Sequence, residues 1–408
     1  MKKLLFYGLM MFILSSCSKG EIDFKECELL PVKISNSDYW SMLDPEGNIV
    51  YESEFSQSPT TCYNGIFVVP ENDGYTVYRR GNKRPELVGK CEGLKAAGVM
   101  NEGLMPVVFP DERISVINSD GEKQFTLEPY KGTEIVQCAT YYTNSLLAVQ
   151  LSNGKWGYVD TKGEMVIKPA YDICFKFSEN FAVVGKNNND YSTRYYVIDT
   201  NGEVVFKLKS SQGLGSYSYK DGYLVAEQNK RIVFLDKKGE VAKKLPAKAK
   251  YISDYNKDYI IFSNGDNHGV MDFDGEVVVR AKYAYINFLD NNTFICRKDD
   301  KDESIVINTD GEQLESYDYR MVINLQQFGL LGYDNKTYTY TLFDREGKSL
   351  CKEDFCNISN TISHFVHLSS DYSDPKAYDE EAYAFEDDSW VVDTVAPDTA
   401  YVVDSIAL

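Results

Sequence analysis

An Asp or Asn standing three residues before a Gly recurs along almost the whole chain, and this recurrence limits the available folds more than any other feature. The glycines are Gly47, Gly81, Gly121, Gly163, Gly202, Gly239, Gly275, Gly311 and Gly347, spaced 34, 40, 42, 39, 37, 36, 36 and 36 residues apart. Eight carry the polar lead-in, from Asp44, Asn118, Asp160, Asp199, Asp236, Asp272, Asn308 and Asp344, and Gly81 lacks it. Self-similarity at a near-constant period means one small unit repeated, with neighbours burying each other's apolar faces. The turn chemistry is legible. An Asp or Asn side chain accepts a hydrogen bond from backbone two residues on and opens a type I turn. The Gly then takes a left-handed conformation that a Cβ makes costly. A type I turn followed by a left-handed Gly is a hairpin with a one-residue bulge.

The flanks agree. Tyr195-Tyr196-Val197-Ile198 precedes one turn and Val204-Val205-Phe206 follows it, and Val277-Val278-Val279 and Ile305-Val306-Ile307 play the same parts elsewhere. These are β-rich runs bounded by turn residues. Each unit has a second hairpin signal, as in 175–184, 219–226 and 255–262, where a short polar segment separates two apolar ones. About four strands in a unit of 36–42 residues is the size of a propeller blade. No sustained apolar pattern at helical spacing occurs outside the first 16 residues. The expectation is an all-β repeat protein, a β-propeller of about seven to nine four-stranded blades. An open stack leaves an apolar face at each end and needs capping units, which the sequence does not show, so a closed ring is favoured. The alternative is an open or two-lobed β-repeat array.

One unit is written more clearly than the rest. Gly154-Lys-Trp-Gly-Tyr-Val-Asp-Thr-Lys-Gly-Glu-Met-Val-Ile-Lys-Pro-Ala-Tyr-Asp172 resembles the WG-repeat (KWG) family of bacterial proteins, and Trp156-Gly157 is the pair that names it. Elsewhere the turn and the strands persist, with Tyr171, Tyr283 and Tyr319 each eight residues after a turn glycine and His268-Gly269 in the place of Trp-Gly. The resemblance spans roughly residues 38–370 but is close over about 20 of them. It implies an all-β repeat protein and no particular chemistry. Trp156 and Tyr171 are expected as packing aromatics, with Gly157 permitting close backbone approach. The other reading of Trp156 is a platform for a sugar ring.

The N-terminus places the protein. Lys2-Lys3 and the apolar run Leu4–Leu14 read as a signal segment over 1–16, too short for a membrane-spanning helix. Leu14-Ser15-Ser16-Cys17 resembles a bacterial lipobox, which makes Cys17 the acylated first residue of the processed chain. That implies a lipoprotein anchored to the outer membrane, on its periplasmic or its outer face, of a Bacteroidetes-like bacterium. Residues 17–37 then form a lipidated tether with room for a first strand, 38–370 the repeat domain, and 371–408 an acidic tail. The tail holds eleven Asp and Glu against Lys376, a net of −10 out of −19 for the chain. It also repeats itself, Trp390-Val-Val-Asp393 against Tyr401-Val-Val-Asp404. Such a tail is expected to be solvated, or to add strands to a sheet edge. A protein this acidic is not expected to bind nucleic acid.

No residue pattern carries catalysis. Eight cysteines besides Cys17 match no metal spacing, and most are expected as buried free thiols, with Cys351 and Cys356 the pair best placed for a local bridge. His364 and His367, three apart on a strand, point to opposite faces and do not chelate one metal. Asp272-Phe-Asp-Gly-Glu276 is read as a turn rather than a calcium loop. Ser216 lies in no nucleophile elbow. Tyr217, Tyr219 and Tyr223 are the candidates for a binding face, their other reading being core or strand-face packing. No cofactor, metal or catalytic residue is assigned. The expected role is a non-enzymatic binding or scaffold module for a protein or glycan of the cell envelope. The alternative is a polysaccharide-acting enzyme with paired carboxylates at the mouth of the ring.

Overall fold

The structure, a computed structural model, describes residues 27–71, 74–110, 113–189, 192–298, 301, 303–358 and 365–367. The segment 1–16 expected as a signal, Cys17, His364 and the tail 371–408 lie outside the described residues. Among the described residues the strands build nine antiparallel blades in chain order. Blades 1 to 8 occupy 62–87, 96–126, 135–171, 173–207, 212–244, 251–283, 285–317 and 321–349. The closing blade takes its innermost strand, Phe355–Ile358, from the far end of the chain and its other three, Cys27–Ile34, Trp40–Leu43 and Ile49–Phe55, from the near end. Val32 faces Ile358 and Lys33 faces Asn357 across that seam. The ring is therefore closed by pairing two strands more than 300 residues apart in sequence, 323 between Cys356 and Lys33. The first strand begins within the segment expected to be tether. The only helix among the described residues is the single 3-10 turn Gln326–Phe328.

Blade 3 shows why these sequences form these strands. Its second strand, Leu146–Leu151, is apolar almost throughout because both its faces are covered by neighbouring blades. Its outermost strand, Met165–Tyr171, alternates, burying Ile167 and Tyr171 and exposing Val166 and Lys168. The cores lie between blades rather than within them. Val183 and Val197 of blade 4 pack with Tyr219, Leu224 and Val233 of blade 5. Phe234 of blade 5 is fully buried against Tyr255 and Phe273 of blade 6, ring centroids 5.0 and 5.3 Å away. Burial of one such ring contributes about 2–3 kcal/mol. The series closes on itself, since Leu331 and Leu342 of blade 8 share a core with Val32 and Phe355 of the closing blade. Leu29 and Trp40 of that blade pack in turn with Cys62 and Phe67 of blade 1.

The recurring turn has the same geometry wherever its lead-in is present. In blade 3, Gly163 N–H donates to Asp160 O at 3.0 Å, and Asp160 Oδ1 accepts from the N–H groups of Lys162 and Glu164 at 2.9 Å each. Gly163 has φ +82°. Every such turn joins the third strand to the outermost one. All of these glycines but Gly311, which has nothing within 4 Å, also lie against the preceding blade: a Cβ on Gly163 would be 2.7 Å from the Phe125 ring, and one on Gly239 2.5 Å from the Phe206 ring. On Gly47 it would be 2.3 Å from Leu350 O of blade 8, so the closing blade repeats the same contact. The period in the sequence thus records inter-blade packing as well as a turn. Gly81 departs from the pattern, because its φ is not positive. A Cβ there would be 2.3 Å from Arg84 O, and its N–H donates to Tyr51 Oη at 2.8 Å, so closeness alone excludes a side chain.

A second ring of contacts, invisible in the turn motif, runs around the axis. The hairpin between first and second strands of each blade is tied to the next. Asn64 donates to Met100 O at 3.0 Å, Asn101 to Tyr142 O at 2.9 Å, and Asn144 to Asn180 Oδ1 at 3.0 Å. Ser178 Oγ reaches Tyr219 O at 2.6 Å, Tyr255 Oη reaches Lys220 O at 2.8 Å, and Asn256 reaches Asn291 O at 3.2 Å. Asn324 donates to Leu289 O at 2.9 Å, Gln327 to Cys27 O, and Glu28 accepts Gly65 N–H at 2.7 Å. All nine junctions are joined. Eight of the nine engage a backbone group of the neighbouring blade, and the Asn144–Asn180 bond joins two side chains.

Candidate functional site

The first-strand hairpins and the recurring turns emerge on one face, since both follow strands running in the same sense. At the inner ends of blades 3 to 6 this face gathers aromatic and charged side chains: Tyr141, Phe175, Lys176, Tyr217, Lys220 and Asp254. Each stands at, or just beyond, the end of an innermost strand or in the hairpin that follows. Tyr158, buried in blade 3, donates to Phe175 O at 2.8 Å and fixes the start of that segment. Phe177 is buried beside it, which leaves Phe175 and Lys176 toward the mouth.

The groups interact across blade boundaries. The Lys176 ammonium lies 4.2 Å from the Tyr141 ring centroid and donates to its hydroxyl. Phe175 and Tyr217 stack, centroids 4.5 Å apart at 26°. Lys220 Nζ is 2.6 Å from Asp254 Oδ1 and 5.2 Å from the Tyr255 centroid. The Lys220 side chain is 15% exposed and Asp254 34%, so the pair is reachable from the mouth but largely covered. Burial pushes the Asp254 carboxyl above its ordinary range, while the Lys220 charge and the Tyr255 N–H bond, 2.7 Å, pull it down. Burial wins. A half-covered ion pair beside stacked rings offers flat apolar surface and a directional charge within one site.

Other residues singled out in the sequence are placed elsewhere. Trp156 is 6% exposed and pairs with Tyr171 across blade 3, so it packs and offers no surface to a sugar. A Cβ on Gly157 would be 2.5 Å from Ile167 O and 2.9 Å from Pro169 N, at the bulge of the outermost strand. His268 pairs with Tyr283 in blade 6, the same position as Trp156 with Tyr171. Tyr319 is not the third member of that series. Tyr317 is, facing Ser304, because the outermost strand of blade 7 has one bulge fewer and comes into register two residues earlier. Tyr319 instead stacks on Phe343 of blade 8 at 5.1 Å. Of the three tyrosines expected on a binding face, Tyr217 is half-buried at the mouth. Tyr219 is fully buried, its hydroxyl 3.3 Å from Asp236 O, and Tyr223 packs between blades 5 and 6 on Phe273. Their spacing mixes inward and outward positions around a hairpin, which sequence alone did not separate.

Ser216 Oγ is occupied by Ser218 O and the Val225 N–H, at 3.2 and 3.0 Å. Asp272 caps its turn, with Glu276 N–H at 2.9 Å, and Asp274 pairs with Lys243. Cys351 and Cys356 are unbridged, and the eight described cysteines are free thiols, seven of them buried. Burial pushes the thiols of Cys27, Cys62, Cys174 and Cys296 well up. Among the described residues no group of three or more His, Cys, Asp or Glu is placed to hold a metal ion, and no helix is long and apolar enough to cross a membrane. The Lys176 and Lys220 contacts are what sequence reasoning missed. Each lysine and its partner are in different blades, about one repeat apart, so the periodicity was the available signal.

No curated protein matches the chain. Among solved structures, BamB from Moraxella catarrhalis is similar at 11% identity over 72% of this chain and 92% of that one, with a TM-score of 0.38. The dihydro-heme d1 dehydrogenase NirN, in complex with DHE, is similar at 13% identity over 73% and 75%, TM-score 0.40. Hsv2p of Kluyveromyces lactis is similar at 9% identity over 62% and 95%, TM-score 0.34. Likeness at this distance adds nothing to the topology above. The sequence pattern described as the WG-containing repeat matches residues 156–189. The chain is thus a β-propeller that carries a WG repeat running from the third strand of blade 3 into blade 4.

Proposed function

We propose that the protein is a non-enzymatic binding module, anchored to the outer membrane by acyl groups on Cys17, whose channel mouth at blades 3 to 6 receives a protein or glycan of the cell envelope. The observation that supports this reading is the paired arrangement at that mouth, Phe175 on Tyr217 and Lys220 with Asp254, on a closed and rigid ring. Rigid blades that hold variable inner ends are suited to recognition, and function in such folds resides in the loops. The polysaccharide-cleaving alternative asks for two carboxylates facing each other across a cleft. Asp254, the one described carboxyl raised by burial, faces an ammonium instead.

The test is a glycan array run beside cross-linking in the native envelope, using the processed chain and a Tyr217→Ala, Lys220→Ala double variant. A ligand captured by the wild-type protein and lost by the double variant supports the reading. Capture that survives the double substitution moves the site away from this mouth. Membrane extraction of a Cys17→Ser chain into the soluble fraction supports the anchor, and unchanged membrane retention removes it.

A further inference from the structure

The recurring turn sorts charge between the two faces of the ring. Its Asp or Asn, and the Glu that follows six of the eight glycines, stand on the mouth face, as Asp160 and Glu164 do in blade 3. The opposite face carries the hairpins between second and third strands and the loops between blades, and is free of that motif. Residues 207–250 hold eleven Lys and Arg against four Asp and Glu, a local net of +7 in a chain of −19. Three of those acids, Asp221, Asp236 and Glu240, belong to the mouth-face hairpin and turn of blade 5, together with Lys220, Lys237 and Lys238. Lys243 pairs with Asp274 of blade 6. The other cations of the stretch gather on the opposite face of blade 5, with Glu227 as its one acid there.

Three segments bring them together. In the loop entering blade 5, Leu208 is buried between exposed Lys207 and Lys209. In the loop leaving it, Ala249 is buried between exposed Lys248 and Lys250. Each apolar residue pins its loop and turns the flanking lysines outward. The hairpin between them carries Lys230, and Arg231 Nη1 donates to Leu245 O at 3.1 Å, which ties that hairpin to the leaving loop. Lys209 N–H donates to Gln212 Oε1 at 2.9 Å, and Gln212 pairs with Gln228 of the same hairpin. Lys250 N–H donates to Ser263 O at 2.8 Å, and its ammonium reaches the next hairpin, where a Cβ on Gly265 would be 2.8 Å from Nζ. Tyr251 follows, 54% exposed. Among the described residues none of Lys207, Lys209, Lys230, Lys244, Lys248 and Lys250 is ion-paired, whereas Arg79, Arg80 and Arg113 of blades 1 and 2 pair with Asp120, Glu28 and Glu128. Like charges gathered without partners raise the local potential and draw an anionic ligand.

We propose that this face of blade 5, with Tyr251 at its edge, binds a carboxylate-bearing polysaccharide whose anionic groups recur along an extended chain. The site is separate from the mouth and stands independently of the reading given to it. Ammonium groups spread over three loops are point charges, suited to successive single carboxylates. The planar fork that favours bidentate phosphate contacts is present only in Arg231, whose guanidinium is engaged by Leu245 O. Tyr251 adds a flat apolar ring next to Lys250, against which a sugar ring can lie. A lipid surface fits less well. The first described strand begins at Cys27 on the mouth face, where Gln327 donates to Cys27 O, so an anchor ahead of it favours that face and not this one.

The experiment titrates polygalacturonate into the protein, into a Lys230→Gln, Lys248→Gln, Lys250→Gln triple variant and into Tyr251→Ala, at low and at physiological salt. The fully methyl-esterified polymer and polyglutamate are run beside it, and circular dichroism melts confirm that the variants, all at exposed positions, fold. The expected result is saturable binding that salt weakens, that the methyl ester does not show, and that the triple variant loses by about tenfold or more. Tyr251→Ala is expected to bind about fivefold more weakly with the same salt dependence. No binding by the wild-type protein at low salt, or equal binding by the triple variant, overturns the proposal. Polyglutamate bound as tightly as polygalacturonate, with Tyr251→Ala without effect, also overturns it, because the surface then reads charge alone. Binding lost by a Tyr217→Ala, Lys220→Ala chain and kept by the triple variant overturns it as well and moves the polysaccharide to the mouth.

Discussion

Three glycines within ten residues of blade 3 separate the two costs that a Cβ imposes. Gly154 has φ +81° with nothing within 4 Å of an added Cβ, so Gly154→Ala incurs the left-handed backbone cost alone, about 1 kcal/mol. Gly157 has an ordinary φ, but its Cβ would sit 2.5 Å from Ile167 O and 2.9 Å from Pro169 N. Those are backbone atoms at a bulge and cannot rotate away, so the strand must move, at about 3 kcal/mol, the upper end of overpacking costs. Gly163 combines φ +82° with a Cβ 2.7 Å from the Phe125 ring, which can tilt. Gly163→Ala is expected between the others, at about 2 kcal/mol. Urea unfolding of the protein, followed by tryptophan fluorescence, ranks the three through their midpoints, with slopes compared first because a chain of repeats need not unfold in two states. The expected order of destabilisation is Gly157, then Gly163, then Gly154. A Gly157→Ala midpoint indistinguishable from that of Gly154→Ala would refute the argument that the Trp-Gly pair exists to admit the bulged outer strand.

Other expectations follow from the same geometry. Asn101→Ala leaves the Tyr142 carbonyl without its donor, and the loss expected in urea is about 1–2 kcal/mol, while an exposed Asn such as Asn153 tolerates Ala better. Asp254 titrates above its ordinary value when folded, so between the two values the native state holds more protons than the unfolded one. Its contribution to stability therefore falls as pH rises from about 4. Lys220→Met removes the opposing cation and steepens that fall, so its urea midpoint relative to wild type is lower at pH 7 than at pH 4.5, and a pH-independent difference contradicts the pairing. The buried thiols of Cys27, Cys62, Cys174 and Cys296 are expected to resist a thiol reagent at pH 8 in the folded protein and to react at once in denaturant. Rapid labelling of any of them in the native state counts against the blade packing described.

Much of the fold was legible because its units repeat a turn whose chemistry is local. Asp160 and Gly163 specify their hairpin without help from the rest of the chain, and eight lead-ins marked eight of the nine blades. The closing blade was foreseen only in outline. Which strand completes it depends on Phe355–Ile358 meeting Cys27–Ile34, a pairing that no local signal records. The ring of Asn and Glu bonds between hairpins was missed for a related reason: Asn64, Asn101 and Asn256 look like ordinary turn residues until the next blade is beside them. Tyr319 fell outside the series it was counted in because a bulge count changes the register, and Tyr217 and Tyr219 divide between mouth and core because the hairpin redirects the chain between them. The mouth itself was hidden, since Lys176 and Lys220 find their partners 35 and 34 residues away.

The central claim is that the two ends of the chain share one blade. Lys33 and Asn357 are direct partners in antiparallel strands, where Cα atoms lie about 4.5–5.5 Å apart, within disulfide range. The measurement is mass spectrometry of non-reduced tryptic peptides from a Lys33→Cys, Asn357→Cys chain that also carries Cys356→Ser. The account predicts a linked peptide joining the 33 and 357 segments within one molecule, formed under mild oxidation without loss of native circular dichroism. Free thiols at both positions, or links formed only between molecules, would contradict a ring closed in this way.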